Sequence, residues 1–169
     1  MGANGLVALL FLAAGATALA EERTLDVGDG KTVRYEVLEE PAKGGSARAT
    51  ALLLLEHLAA GNIREAAALS NAPEKREEVL RDYRASVGEE EFKRIFARYL
   101  GRANAIVAEV AIGPHRLIIW DLGGPEGRLA GQYYVEHEGR FLLDDLPSEA
   151  RANLHRVLQV YRRDPGAAR

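Results

Sequence analysis

A change of period sets the fold class of this chain. From Ala49 to Leu100 apolar residues return every three or four positions; from Ala105 to Leu143 they alternate or run together in short stretches. A period of 3.6 lays side chains along one stripe of a helix, and a period of two lays them on one face of a strand. Helices followed by strands predict an α+β domain.

Within the helical half, Ala49–Ala60 carries four consecutive leucines, Leu52 to Leu55, and ends at Gly61, a residue suited to the left-handed C′ position. Asn62 with Glu65 three residues on resembles a capping box for a short alanine-rich helix, Ile63–Leu69. Pro73 suits the first turn of the next helix, whose stripe is Val79, Leu80 and Tyr83. Gly88 interrupts. Glu89–Leu100 then opens with acidic residues, favourable at the positive end of the helix dipole, and places Phe92, Ile95, Phe96, Tyr99 and Leu100 on one face.

In the second half, Ala105–Ile112, Arg116–Leu122, Leu129–His137 and Phe141–Leu143 read as strands. Gly113-Pro114, the glycine-rich loop Gly123–Gly127 and Glu138-Gly139 join them. Such short links argue for an antiparallel meander, with one sheet face packed on the helices and a hollow left at one end. Pro147-Ser148 introduces a last helix, capped by Ser148 and striped by Leu154, Val157, Leu158 and Tyr161.

Ahead of the helices, Leu25 and Val27, then Val33, Tyr35 and Val37, alternate about the turn Gly28-Asp29-Gly30 and predict a hairpin over Thr24–Leu38. Residues 41–46 read as a flexible link. No ionisable side chain precedes Glu21, and Leu6–Ala20 is an apolar run closing on the small residues Ala18-Leu19-Ala20. That pattern predicts a signal peptide cut after Ala20 and a periplasmic or extracellular protein. The organisation expected is therefore signal 1–20, hairpin and linker 21–48, α+β domain 49–146, and C-terminal helix and tail 147–169. The chain has no cysteine, which excludes disulfide frameworks, thiol enzymes and a lipid-modified anchor of the bacterial lipoprotein kind; no later segment is long and apolar enough to span a bilayer. With 22 Lys+Arg against 25 Asp+Glu, it lacks the basic excess of a nucleic-acid binder.

Two segments carry a resemblance. HLAAGNIREAAALSNAP (His57–Pro73) is similar to the first helix junction of the nuclear transport factor 2-like superfamily, and GQYYVEHEGRFLLDDLP (Gly131–Pro147) resembles its last hairpin. The resemblance implies a cone: helices wrapped by a strongly bent antiparallel sheet, with a pocket at the wide end. The N-terminal hairpin and the helix after Ser148 depart from that pattern, as elements able to cover the pocket or an oligomer surface. The superfamily includes isomerases, cyclases and dehydratases beside secreted proteins without catalysis, so fold alone does not choose.

Proton-transfer chemistry in such a cavity needs a carboxylate or histidine and a hydroxyl donor. Asp121 is the candidate base, and its competing role is to start the turn into Gly123-Gly124, where Asp is favoured. Tyr83, Tyr99, Trp120 and Tyr133 are the candidate ligand-pocket residues; core packing is the bland reading of each. Glu109, inside an apolar strand, is expected to face solvent. Asp144-Asp145 diverge along the chain, which argues for a turn role before Pro147 rather than a metal pair. The histidines His57, His115, His137 and His155 lack zinc-site spacing, and no serine lies in a nucleophile elbow. No cofactor or metal is expected. The leading expectation is a non-catalytic domain that binds a small apolar ligand or a protein partner; the others are an isomerase, cyclase or dehydratase using Asp121, and an interaction protein that forms a homodimer through its sheet.

Overall fold

A computed structural model describes residues 20–38, 46–101, 105–123 and 128–164. Residues 1–19 of the expected signal peptide lie outside the described residues, as do most of the 41–46 link and of the Gly123–Gly127 loop, and the end of the tail.

Among the described residues, six strands and five helices follow one another: β1 (Ala20–Gly28), β2 (Lys31–Leu38), α1 (Ala47–Ala60), α2 (Ile63–Ala67), α3 (Pro73–Val87), α4 (Glu89–Tyr99), β3 (Ala105–Ile112), β4 (His115–Asp121), β5 (Leu129–His137), β6 (Arg140–Leu143) and α5 (Glu149–Arg163). The chain is α+β. All strands join one antiparallel sheet in sequence order, β1 to β6. β2 and β3 pair through Glu36–Leu38 against Glu109–Ala111, although four helices separate them in the chain. Register breaks between Asp26 and Gly28 and between Ile106 and Ala108 add the local bend that an extra residue imposes on a strand.

Both faces of this sheet are covered, which corrects the expectation of a single packed face. On one side Ile118, Trp120, Tyr134 and Leu143 meet the apolar faces of α1 to α4, including Leu54, Leu55, Leu58, Leu80 and Phe92. On the other, Ala108, Val110, Leu117 and Ile119 meet Leu154, Val157, Leu158 and Tyr161 of α5, with Tyr35 of β2. This is why Leu117 to Trp120 form an unbroken apolar run: each is buried, and a strand covered on both faces has no solvent side on which to place polar residues. Gly131 marks how closely α5 approaches. A Cβ there would lie 2.6 Å from Leu158 Cδ2 and 2.8 Å from Leu117 Cδ1.

The helix ends follow from local chemistry. Ser46 caps α1, its Oγ accepting the Ala49 N–H at 3.2 Å, so α1 starts two residues earlier than its apolar pattern suggests. Gly61, at φ 81°, closes α1: its N–H reaches the Leu58 carbonyl at 3.1 Å, and the Asn62 N–H reaches that of His57 at 2.8 Å. The expected Asn62–Glu65 capping box is not made, because the Asn62 side chain bonds no backbone N–H of α2. Ser148 caps α5 through the Arg151 N–H at 3.1 Å.

Glu109 is a second correction. It is 3 % exposed, under Arg48 of α1, whose Nε donates to its Oε2 at 2.9 Å, with Arg116 Nε 4.0 Å from Oε1. Its strand face is covered by α1, and a carboxylate that leaves water there needs the paired cation.

Candidate functional site

β6 stops at Leu143, pairing only with Tyr134–His137 of β5, so the first half of β5 has no strand beyond it. The Asp144 N–H still reaches the Tyr133 carbonyl at 2.8 Å, after which the chain leaves for α5. The gap opens into a cavity of about 280 Å³ between the sheet and the α1–α4 layer. Leu54 and Leu58 of α1, Leu80 of α3, Phe96 of α4 and Leu143 of β6 supply apolar walls; Gln132, Arg76, Asp145 and Arg151 supply the polar groups. An apolar cavity with a few fixed polar groups is the usual form of a small-molecule site.

Gln132 is oriented by its neighbours. Its Oε1 accepts the Trp120 Nε1–H at 2.9 Å and the Tyr134 O–H at 3.1 Å. An indole N–H can only donate, so the amide oxygen must face it and the NH₂ must take the other branch. That NH₂ has no protein acceptor among the described residues. Burial pushes the Tyr134 phenol far above its ordinary range, so it stays neutral and keeps its proton for this bond.

The polar rim is a network tied to the end of β6. Leu143 N–H donates to the Leu69 carbonyl at 2.7 Å and its carbonyl accepts the Asn71 N–H at 3.0 Å, which pins the α2–α3 link beside β6. From there Asn71 accepts the Asp145 N–H at 2.8 Å and donates from Nδ2 to Asp144 Oδ1 at 2.8 Å. Asp144 Oδ2 lies 3.1 Å from His115 Nδ1. Asp145 accepts both Nε and NH2 of Arg76, the former at 2.7 Å, and Ser70 Oγ at 2.6 Å. Burial alone would raise the Asp145 carboxyl, but the bonds from Arg76 and Ser70 outweigh it and hold it below the usual carboxylate value. The two neighbouring carboxylates thus serve separate partners, and no group of His, Asp and Glu able to hold a metal occurs among the described residues.

Arg151, in the first turn of α5, stands at the rim. Its guanidinium lies 5.3 Å from the centre of the Tyr133 ring, and its charge contributes to holding the Asp145 carboxyl low. Tyr133 faces α5, with its hydroxyl 2.9 Å from His155 Nδ1.

Of the four pocket candidates named from sequence, Tyr133 lines the cavity. Tyr83, Tyr99 and Trp120 are brought together elsewhere, in a file of rings running Tyr83–Phe92–Phe96–Tyr99–Trp120 through α3, α4 and β4. Trp120 still bears on the cavity through Gln132. Asp121 does not line it; its Oδ1 accepts the Gly123 N–H at 2.8 Å, the turn role weighed for it above. Sequence reasoning passed over Gln132, Arg76 and Arg151. A signal for Gln132 was present: it shares a strand face with Ala130 and Tyr134, and a lone amide on such a face needs partners.

The cavity offers apolar walls, an oriented donor in Gln132, and four charged side chains, Arg76, Asp144, Asp145 and Arg151. Of its two carboxylates, Asp145 is engaged by Arg76 and Ser70, and Asp144 by Asn71 and His115. No family model, curated protein or solved structure matches the chain.

Proposed function

We propose that this is a non-catalytic binding protein that holds a small apolar molecule in the cavity between α1, α3, α4 and β5, with an oxygen of that molecule accepting from the Gln132 NH₂. The observation that carries the reading is the Gln132 amide, whose oxygen is committed to Trp120 and Tyr134 and whose NH₂ finds no acceptor among the described residues. An engineered apolar cavity of about 150 Å³ accepts benzene, so about 280 Å³ accommodates a molecule roughly twice that size. Export to the periplasm or exterior is part of the proposal, supported by the uncharged run ahead of Glu21. So is a cone of the nuclear transport factor 2-like kind, supported by α1 to α4 on one face of a bent antiparallel sheet with a hollow where β6 ends, α5 lying on the opposite face.

Small molecules released from natively purified protein and identified by mass spectrometry test the binding reading, beside a Leu58→Trp variant that fills the cavity. The expected result is an apolar oxygen-bearing compound held by the parent and lost from the variant. A parent that carries none, or equal retention by both, overturns it. Mass analysis of the exported protein tests the cut after Ala20.

A further inference from the structure

We infer that the molecule held in this cavity is a monocarboxylate, an apolar acid whose charged end pairs with Arg151; the inference rests on the binding reading above. Four charged side chains line the cavity: Arg76, Asp144, Asp145 and Arg151. Arg76 is spent on Asp145, which also takes Ser70. Asp144 is engaged by Asn71 and His115. Arg151 helps hold the Asp145 carboxyl low through its charge, but it makes no salt bridge or hydrogen bond to a carboxylate among the described residues. It is nonetheless held in place: Ser148 fixes the first turn from which it leaves, and the Tyr133 ring lies against its guanidinium. A half-buried guanidinium fixed at an apolar cavity, with its planar fork unused, matches a carboxylate bidentately.

The open strand edge supports the same placement. Tyr133 turns its carbonyl toward β6, so by antiparallel alternation Gly131 also turns its backbone groups toward the space that β6 leaves empty. The Gly131 N–H there is a further donor without a strand partner, and Gly131 lines the cavity. Gly131 presents one donor and one acceptor to that gap, the Gln132 NH₂ and the Arg151 guanidinium are further donors, and the acceptors Asp144 and Asp145 are already engaged. A ligand rich in donors, such as an amine, would meet Arg151 unpaired.

Calorimetric titration with octanoate and with octan-1-ol, which share chain length and differ in charge, tests this on the whole protein. The parent should bind octanoate at least tenfold more tightly than octanol. Arg151→Gln should bring the ratio of the two affinities close to one, and Arg151→Lys should restore part of the preference. Equal affinity of the parent for the two probes, or a preference that survives Arg151→Gln, overturns the carboxylate assignment while leaving the cavity reading in place. If neither probe binds the parent, or if both still bind Leu58→Trp, the cavity reading itself fails and the assignment with it.

Discussion

The indole N–H of Trp120 donates to the side-chain oxygen of Gln132 at 2.9 Å, linking β4 to its neighbour β5 on the face covered by α1 to α4. The Gln132 Cα is paired with that of Ile118, so the contact is diagonal, a reach that a long aromatic side chain has. The bond joins packing to binding: Trp120 belongs to the core, and by fixing the amide it decides which group Gln132 presents to the cavity.

Gln132→Leu should therefore damage both. It leaves the Trp120 N–H and the Tyr134 O–H without their acceptor in a buried setting. Each orphaned group costs about 1–3 kcal/mol. Urea unfolding should show a lower midpoint with an unchanged slope, and octanol affinity should fall as the donor is lost.

Arg76→Met should separate the Asp145 charge from its partner. At neutral pH the loss should be about 1.5–3 kcal/mol, the range for hydrogen bonds to charged groups. The sign of the pH dependence follows from the direction of the shift. In the parent the Asp145 carboxyl titrates below its ordinary value, so its contribution is present above about pH 4, the unfolded value, and is lost as pH falls through the folded value. In the variant only the Ser70 bond and the Arg151 charge are left to oppose burial, so less of that contribution remains to be lost on protonation. Parent and variant stabilities, measured by urea unfolding at pH 7 and near pH 3, should converge on acidification.

Gly131→Ala should cost about 1–3 kcal/mol by overpacking. The new methyl would meet Leu158 Cδ2 and Leu117 Cδ1 well inside contact distance, and both leucines are buried between sheet and helix. A thermal melt checks it. A fully tolerated alanine would mean that α5 can slide on the sheet.

Ending the chain at Leu146 should abolish cooperative folding rather than shed an accessory. Removing α5 uncovers Val110, Leu117 and Ile119, all fully buried. Burial of each such side chain stabilises by about 1.5–3 kcal/mol, an amount comparable to the net stability of a domain when several are lost together. Loss of near-ultraviolet circular dichroism and binding of a hydrophobic dye are the expected signs.

Much of this fold was legible from residue pattern. Gly61 closing α1, Ser148 capping α5 and the four strands from Ala105 onward all follow from local rules that tertiary packing did not override. What α5 covers was harder to read, because its stripe of Leu154, Val157, Leu158 and Tyr161 looks the same whichever surface it meets. The unbroken Leu117–Trp120 run was the available clue, since a half-exposed strand would alternate. Glu109 was misread because its partner Arg48 lies 61 residues away, on a helix whose docking face the sequence does not announce. The aromatic candidates show the same gap: helical and strand periods place Tyr83, Tyr99 and Trp120 on inward faces, but cannot distinguish a file of packed rings from the wall of a cavity. The cavity itself arises from where β6 ends relative to β5, a property of pairing rather than of any segment alone.

Methyl-resolved nuclear magnetic resonance of the leucine-labelled protein, titrated with octan-1-ol, tests the binding claim most directly. Shifts concentrated at Leu54, Leu58, Leu80 and Leu143, with Leu154 and Leu158 of the opposite face unmoved, are the result predicted. Saturation without movement of the first four, or shifts confined to the α5 face, would contradict a ligand site between the helix layer and β5.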